Sequence, residues 1–240
     1  MVGRELEKRL PLSERAEEQL DKDLERYFEW HRAKMLASYI TTVEGWRSEV
    51  RAPTLRSTDR WLMPDIQSLI TDTLLPLAEI VCLPMSEYTA EEVAELRKLD
   101  REAQEERKAK QGGTKEEERE RRWERFESFI EDWVGDIEKG QRPRWRSTFE
   151  KAVDSSSKRS SKGREEWDRF VAELEQGMTL PRCFEHMQRW LIPSPETRSE
   201  RNAGWIPLYD QILRELTPEQ RLHLDEELSD WINRFQGLQD

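Results

Sequence analysis

His31, His186 and His223 are the chain's three imidazoles, and Cys82 and Cys183 its two thiols. These residue types bind metals, move protons or attack carbonyls, but their spacing supports none of that chemistry locally. No HxxxH or HExxH pair places two imidazoles on one helical face, and the cysteines are 101 positions apart with no CxxC. No glycine-rich phosphate loop and no GxSxG turn occurs. With 51 acidic side chains, two close carboxylates carry no signal for acid–base catalysis. His31 lies between Phe28 and Met35 on an apolar helical face, which suits a hydrogen-bonded core histidine. As an acid or base it would act beside Arg32 and Tyr39. The expectation is no catalytic residue, no metal and no cofactor. Cys82 and Cys183 suit either two buried thiols or, in an oxidising compartment, one disulfide.

The elements that would hold these residues are helical. Hydrophobic content is 35% and charged content 38% of 240 residues, the composition of a disordered chain or of helices with narrow apolar stripes. Ten tryptophans and seven phenylalanines decide for helices, because each buried indole removes on the order of 200 Å² from water. The net charge of −11 disfavours nucleic acid and anionic membranes as partners. No uninterrupted run of about 18 apolar residues marks a transmembrane helix.

Leu20, Leu24, Tyr27, Phe28, His31, Met35 and Tyr39 share one helical face, predicting a helix over 13–50 with Ser13 as its N-cap and a bend near Gly45. A second apolar helix follows Pro64, and Pro76 should kink or split it. Thr89 with Glu92, and Thr114 with Glu117, are capping boxes; Gln111-Gly112-Gly113 separates their helices. Trp123, Phe126, Ile130, Trp133, Val134 and Ile137 form a core stripe. A Ser/Lys-rich interruption covers 155–163. Thr217-Pro218-Glu219-Gln220 opens the last helix, with Thr217 at the N-cap, and Gln220-Arg221 has an echo at Gln141-Arg142. These signals predict an all-α, extended bundle of six to nine helices without significant sheet. It would be one elongated domain over 1–240, divisible into sub-bundles 11–140 and 141–240.

Four segments in order carry a resemblance. They are Trp30-His31-Arg32 with Leu36 and Tyr39; Trp133-Val134-Gly135-Asp136-Ile137 with Gln141-Arg142; Pro195-Glu196 with Asn202; and Leu216–Arg221 with Leu224, Leu228 and Trp231. Over about 11–238 the chain resembles a family of predicted proteobacterial lipoproteins of unknown function, with WHRxxxLxxY and LTPEQR segments. Lys34 and Ala37 depart from its pattern, where an acidic residue and a proline are expected. The resemblance implies a periplasmic protein anchored by lipid to the outer membrane, with the lipidated cysteine and its signal preceding Met1. It implies no activity.

The expected function is therefore protein binding, as a scaffold or chaperone-like holder of envelope proteins, with membrane contact only through a lipid anchor outside this chain. Trp30, His31, Arg32 and Tyr39 are the candidate binding residues. The alternatives are a cytosolic helical adaptor and an enzyme using His31.

Overall fold

The computed structural model describes residues 10–110, 114–157, 160–192 and 194–239. Gln111-Gly112-Gly113 lies outside them, as do Lys158 and Arg159 of the Ser/Lys-rich stretch. Among the described residues the fold is all-α with no strand. In chain order the helices are α1 (Glu14–Trp30), α2 (Leu36–Arg51), α3 (Leu62–Met85), α4 (Ala90–Lys110), α5 (Lys115–Val134), α6 (Gln141–Ser157), α7 (Ser160–Glu175), α8 (Leu180–Leu191), α9 (Pro195–Asn202), α10 (Trp205–Glu215) and α11 (Pro218–Gly237). A π-helical turn, His31–Met35, joins α1 to α2, and a 3₁₀ turn, Thr58–Arg60, precedes α3.

Local chemistry sets many of the boundaries. Ser13 accepts the amide of Ala16 at the start of α1. Thr114 and Thr217 make complete capping boxes with Glu117 and Gln220. The Thr89 amide donates to the Glu92 carboxylate (2.7 Å), and the Glu92 amide donates to the Thr89 hydroxyl (3.3 Å). Each arrangement satisfies amides that a helix start leaves unpaired. The helix through Gly45 is unbroken, and α3 runs helically across both Pro76 and Pro84. The irregularity expected at Gly45 falls instead on the π-turn.

That turn also moves the buried face. A π-turn adds a residue to the helical repeat. Leu20, Leu24 and Tyr27 are buried before it, the adjacent Met35 and Leu36 at its end, and Val43 and Val50 after it. Phe28, read as part of the apolar face, is 38% exposed.

The chain forms two compact units, each drawn from three separate stretches. The first comprises Met1–His31, Ile70–Gly112 and Ser160–Pro193; the second comprises Arg32–Leu69, Gly113–Arg159 and Ser194–Asp240. In the first, Val93 and Leu96 of α4 meet Phe170, Val171 and Leu174 of α7 around a buried Cys82–Cys183 disulfide. The cysteines are thus paired, and neither is free. His186 is buried beside them, bonded to Glu173 at 3.0 Å and packed edge-on against Phe170.

The second unit has the larger aromatic core. Trp123 and Trp145 are buried with Phe149, Leu208 and Ile212, and α2 packs along α11 through Val43, Val50, Leu224 and Leu228. Asp225 of α11 accepts both guanidiniums of α2, at 2.7 Å from Arg51 and 3.1–3.2 Å from Arg47. Those bonds, from Arg51 first and then Arg47, hold the Asp225 carboxyl down at about 2. A folded-state value below the unfolded one stabilises above about pH 4 and is lost as pH falls toward 2. After allowance for solvent screening, the contribution is about 1 kcal/mol. Asp225→Asn should therefore lower the urea midpoint at pH 6 and converge on the parent as pH falls through 3. A difference that does not change with pH would remove the ion pairs as its cause.

One segment departs from the expectation drawn from uninterrupted apolar runs. Thr58–Met85 has a mean hydropathy of 1.5 over its most apolar window, long and apolar enough by composition to cross a membrane, although Asp72 and Glu79 interrupt it. Only 11% of that window is buried in the fold.

Candidate binding cleft

The second unit contains an open cleft of about 290 Å³. Trp46 of α2, Trp61 and Ile66 at the start of α3, Phe129 and Trp133 of α5, and Leu213 of α10 contribute to its walls, with Tyr209 beside them and Leu224 and Leu228 of α11 below. No wall residue carries a carboxylate, imidazole, amine or thiol. Two of the indoles spend their N–H groups on the protein: Trp46 Nε1 donates to Asp65 (2.9 Å) and Trp61 Nε1 to the Arg56 carbonyl (3.2 Å). Burial pushes the Tyr209 phenol up, so it stays protonated across ordinary pH. Such a surface offers hydrocarbon contact and ring faces; it offers no acid, base or nucleophile.

Each wall has an identifiable anchor. Asp210 of α10 accepts the Thr58 amide and the Ser57 hydroxyl, both at 2.7 Å, which fixes the 3₁₀ turn and seats the buried Trp61. Trp133 stacks on Trp231 with centroids 6.1 Å apart and planes 12° from parallel, and Arg234 lies over the Trp231 ring at 5.3 Å. Trp133 is therefore half-buried as a wall of the cleft, where the sequence stripe placed it in the core. Phe129 is 50% exposed. A half-exposed phenylalanine beside the buried Trp61 and the partly buried Trp46, Trp133 and Tyr209 is available to a partner without any rearrangement of the core.

The turns joining α5 to α6 and α10 to α11 are locked by a pair of buried glutamines. Gln141 and Gln220 are 2% and 5% exposed. Gln141 Nε2 donates to Gln220 Oε1 (2.8 Å) and to the Glu215 carbonyl (2.7 Å); Gln220 Nε2 donates to Gln141 Oε1 (2.9 Å) and to the Asp136 carbonyl (2.8 Å). The two side-chain oxygens also accept the amides of Glu138 and Thr217, each at 3.0 Å. All four hydrogen-bonding positions of each side-chain amide are thereby used. Gly135, at the end of α5, has φ +75°, a region glycine enters without penalty, and a Cβ there would meet the His223 ring at 3.5 Å. Arg142 pairs with Glu127 and Glu131, and Arg221 donates to the Leu213 carbonyl (3.0 Å). The echo between Gln141-Arg142 and Gln220-Arg221 is thus a structural clamp.

None of the four residues singled out from the sequence lines this cleft. Trp30 is exposed and packs on Tyr27 with ring centroids 5.7 Å apart; His31, half-buried, packs on the same ring at 5.9 Å. Desolvation lowers the His31 pKa, so its neutral form is favoured. Arg32 is exposed, and Tyr39 packs on Phe235 at 5.5 Å. The cleft residues Trp46, Trp61 and Phe129 were not picked out as binding candidates. The only signal that bears on Phe129 is its position beside the Phe126–Ile130–Trp133 stripe, on a helix too aromatic for one buried face. No group of three or more metal-ligating side chains occurs among the described residues.

Comparison with known families adds one relation. Residues 8–200 match the model of a family of unknown function, DUF6279. The matched range holds the Trp30-His31-Arg32 and Trp133–Arg142 segments, while α10 and α11, with the Leu216–Arg221 segment, lie beyond it. No curated protein and no solved structure matches the chain.

Proposed function

The chain belongs to the DUF6279 family of unknown function, and we propose that it is a non-catalytic binding protein that takes apolar side chains of other proteins into the cleft of its second unit. The observation that carries this reading is the cleft itself: about 290 Å³, open, walled by indoles and aliphatics, with Phe129 half exposed in it. That volume accommodates two or three large side chains of a partner. Its lack of polar groups selects side chains over backbone, whose amides would lose their hydrogen bonds there.

The proposed setting is the periplasm, with a lipid anchor to the outer membrane. The anchor rests on the resemblance of the Trp30-His31-Arg32 and Leu216–Arg221 segments. The compartment has separate support in the Cys82–Cys183 disulfide, because such bonds persist in oxidising compartments and are rare in the reducing cytosol. The same bond speaks against a cytosolic adaptor. A scaffold or chaperone-like holder of envelope proteins fits both the cleft and the compartment.

The test is suppression of aggregation of a chemically unfolded reporter protein by the full chain, compared with the Phe129→Asp variant. Covering the exposed half of Phe129 is worth about 2 kcal/mol, a factor of about 30 in affinity. The variant should need at least tenfold more protein for the same suppression at a temperature where both proteins are fully folded, its melting temperature lowered by loss of the buried half of the ring. Equal suppression by parent and variant would take the cleft out of the function.

A further inference from the structure

Where α2 ends beside the first turns of α11, the second unit carries an open pocket of about 610 Å³. Val50, Pro53 and Leu222 give it apolar wall, and Arg51, Arg221 and Asp225 supply its charges. Leu222 is 59% exposed, the most of any large apolar side chain among the described residues. The one carboxylate of the wall is already saturated. Each oxygen of Asp225 accepts one N–H from Arg51 (2.7 Å) and one from Arg47 (3.1–3.2 Å). Those bonds use Nε and Nη2 of Arg51 and leave its Nη1 without a partner among the described residues, on a side chain that is itself 59% exposed. Arg221 meets no carboxylate among the described residues. Its Nη2 donates to the Leu213 carbonyl (3.0 Å) and its Nη1, at 3.5 Å, to the Val50 carbonyl, in the last turns of α10 and α2, while its Nε makes no bond there. Carbonyls at helix ends offset part of a positive charge, but only an anion neutralises it. Glu44 lines an adjoining hollow with Arg47 and Arg51, so three guanidiniums still outnumber the two carboxylates around this site.

We propose that this pocket captures the C-terminal residue of a partner chain, with the carboxylate held by Arg51 and Arg221 and the aliphatic side chain against Leu222 and Pro53. The wall itself selects this occupant. Guanidinium N–H groups match a carboxylate in charge and geometry, and the unspent donors of Arg51 and Arg221 are of that kind. A bare inorganic anion would leave Leu222 uncovered, and a purely apolar group would leave both cations unpaired. A terminal residue carries its carboxylate and its side chain on one Cα, so both enter one small pocket together. In an extended internal segment neighbouring side chains point to opposite faces, so an acidic residue and its apolar neighbour do not. Arg221 belongs to the Leu216–Arg221 segment, in which Thr217 and Gln220 are spent on capping α11. Capture of a carboxylate gives that segment a binding role beside its structural one. The pocket shares Val50 with the cleft and none of its rings, so the inference does not rest on the cleft's function.

The experiment titrates the full chain into a fluorescein-labelled glycine/serine heptapeptide that ends in leucine-valine, and reads fluorescence anisotropy. The free acid is compared with the same peptide amidated at its C-terminus, and with an amidated peptide carrying an internal glutamate beside the leucine. Saturable binding of the free acid is expected, about tenfold or more tighter than of the amide. Arg51→Gln and Leu222→Glu, both at exposed positions, should each weaken it by about tenfold. Leu238→Glu, the same change at a leucine 58% exposed at the far end of α11, should alter it by less than about twofold. Arg221→Gln should abolish binding; because it also loses two carbonyl bonds, the Arg51 and Leu222 variants decide the matter where it fails to fold. Absence of saturable binding by the free acid would overturn the proposal, as would equal binding of acid and amide or equal weakening by Leu238→Glu. So would equal binding of the amidated glutamate peptide, which assigns the pocket to acidic side chains. Laurate that binds where the free-acid peptide does not, and that Leu222→Glu releases, would assign it to fatty acid.

Discussion

Replacing Cys82 and Cys183 together by alanine should destabilise the first unit by about 4 kcal/mol, the largest single effect expected in this chain. The cross-link spans 101 positions, so in a fully unfolded chain it removes the entropy of a very long loop, worth about 5 kcal/mol. Residues 113–159 of that loop belong to the second unit. If the second unit stays folded while the first opens, the free loop falls to roughly 50 residues and the effect to about 4 kcal/mol. The weak logarithmic dependence makes the two cases nearly equal. Hydrogen exchange resolved by segment is the measurement, since two units do not guarantee two-state unfolding. Amides of α4, α7 and α8 should lose protection by about three orders of magnitude, while α5, α6 and α11 keep theirs. A loss below 1 kcal/mol would mean that the packing of Phe170, Val93 and Leu174 holds the unit without the bond. The same experiment bears on compartment: a first unit that needs its disulfide is poorly suited to the cytosol.

Much of the fold was legible because helix chemistry is local. Ser13, Thr89, Thr114 and Thr217 each act on an amide three positions ahead, and all four caps form. The all-α class followed from stripes of apolar residues and the absence of alternation. What was not legible depends on partners distant in sequence. The echo of Gln141-Arg142 in Gln220-Arg221 is visible in the sequence, but that the two amides bond each other, 79 positions apart, is not. The π-turn was hidden for a related reason: Leu20, Leu24 and Tyr27 set a register that Met35 still fits, and only the burial of Leu36, Val43 and Val50 shows that the face has moved. The cleft was hidden because periodicity says that Trp123, Phe126, Phe129 and Trp133 lie on one helix, while their burial depends on the neighbours. Trp123 is 2% exposed and Phe129 50%, six positions apart. The segment Trp30-His31-Arg32 stands apart from the cleft, with Trp30 and His31 packed on the Tyr27 ring, a placement that its residue types do not reveal.

The Gln141–Gln220 clamp should show itself as strong coupling in a double-mutant cycle. Gln220→Leu removes two donated and two accepted bonds and leaves the Asp136 carbonyl, the Thr217 amide and half of Gln141 without partners in a buried place. An unsatisfied buried group costs about 1–3 kcal/mol, and relaxation toward water recovers part of it, so about 3 kcal/mol is expected for this change and a similar loss for Gln141→Leu. The double variant keeps the orphaned backbone groups but no longer strands an amide side chain. Its loss should therefore fall short of the sum of the singles by 1–2 kcal/mol. Urea denaturation of the four proteins measures this directly. Strict additivity would mean that the reciprocal amide pair contributes nothing and that each glutamine acts only as a local cap. The functional consequence follows from position. The clamp fixes the end of α5 against the start of α11, and those helices carry Phe129, Trp133, Leu224 and Leu228 of the cleft. Loosening the clamp should thus reduce reporter holding even where the remaining stability keeps the chain folded. Phe129→Asp, by contrast, leaves the clamp intact and should reduce holding by removing the exposed half of the ring, so the two variants separate the shape of the cleft from the contact it makes.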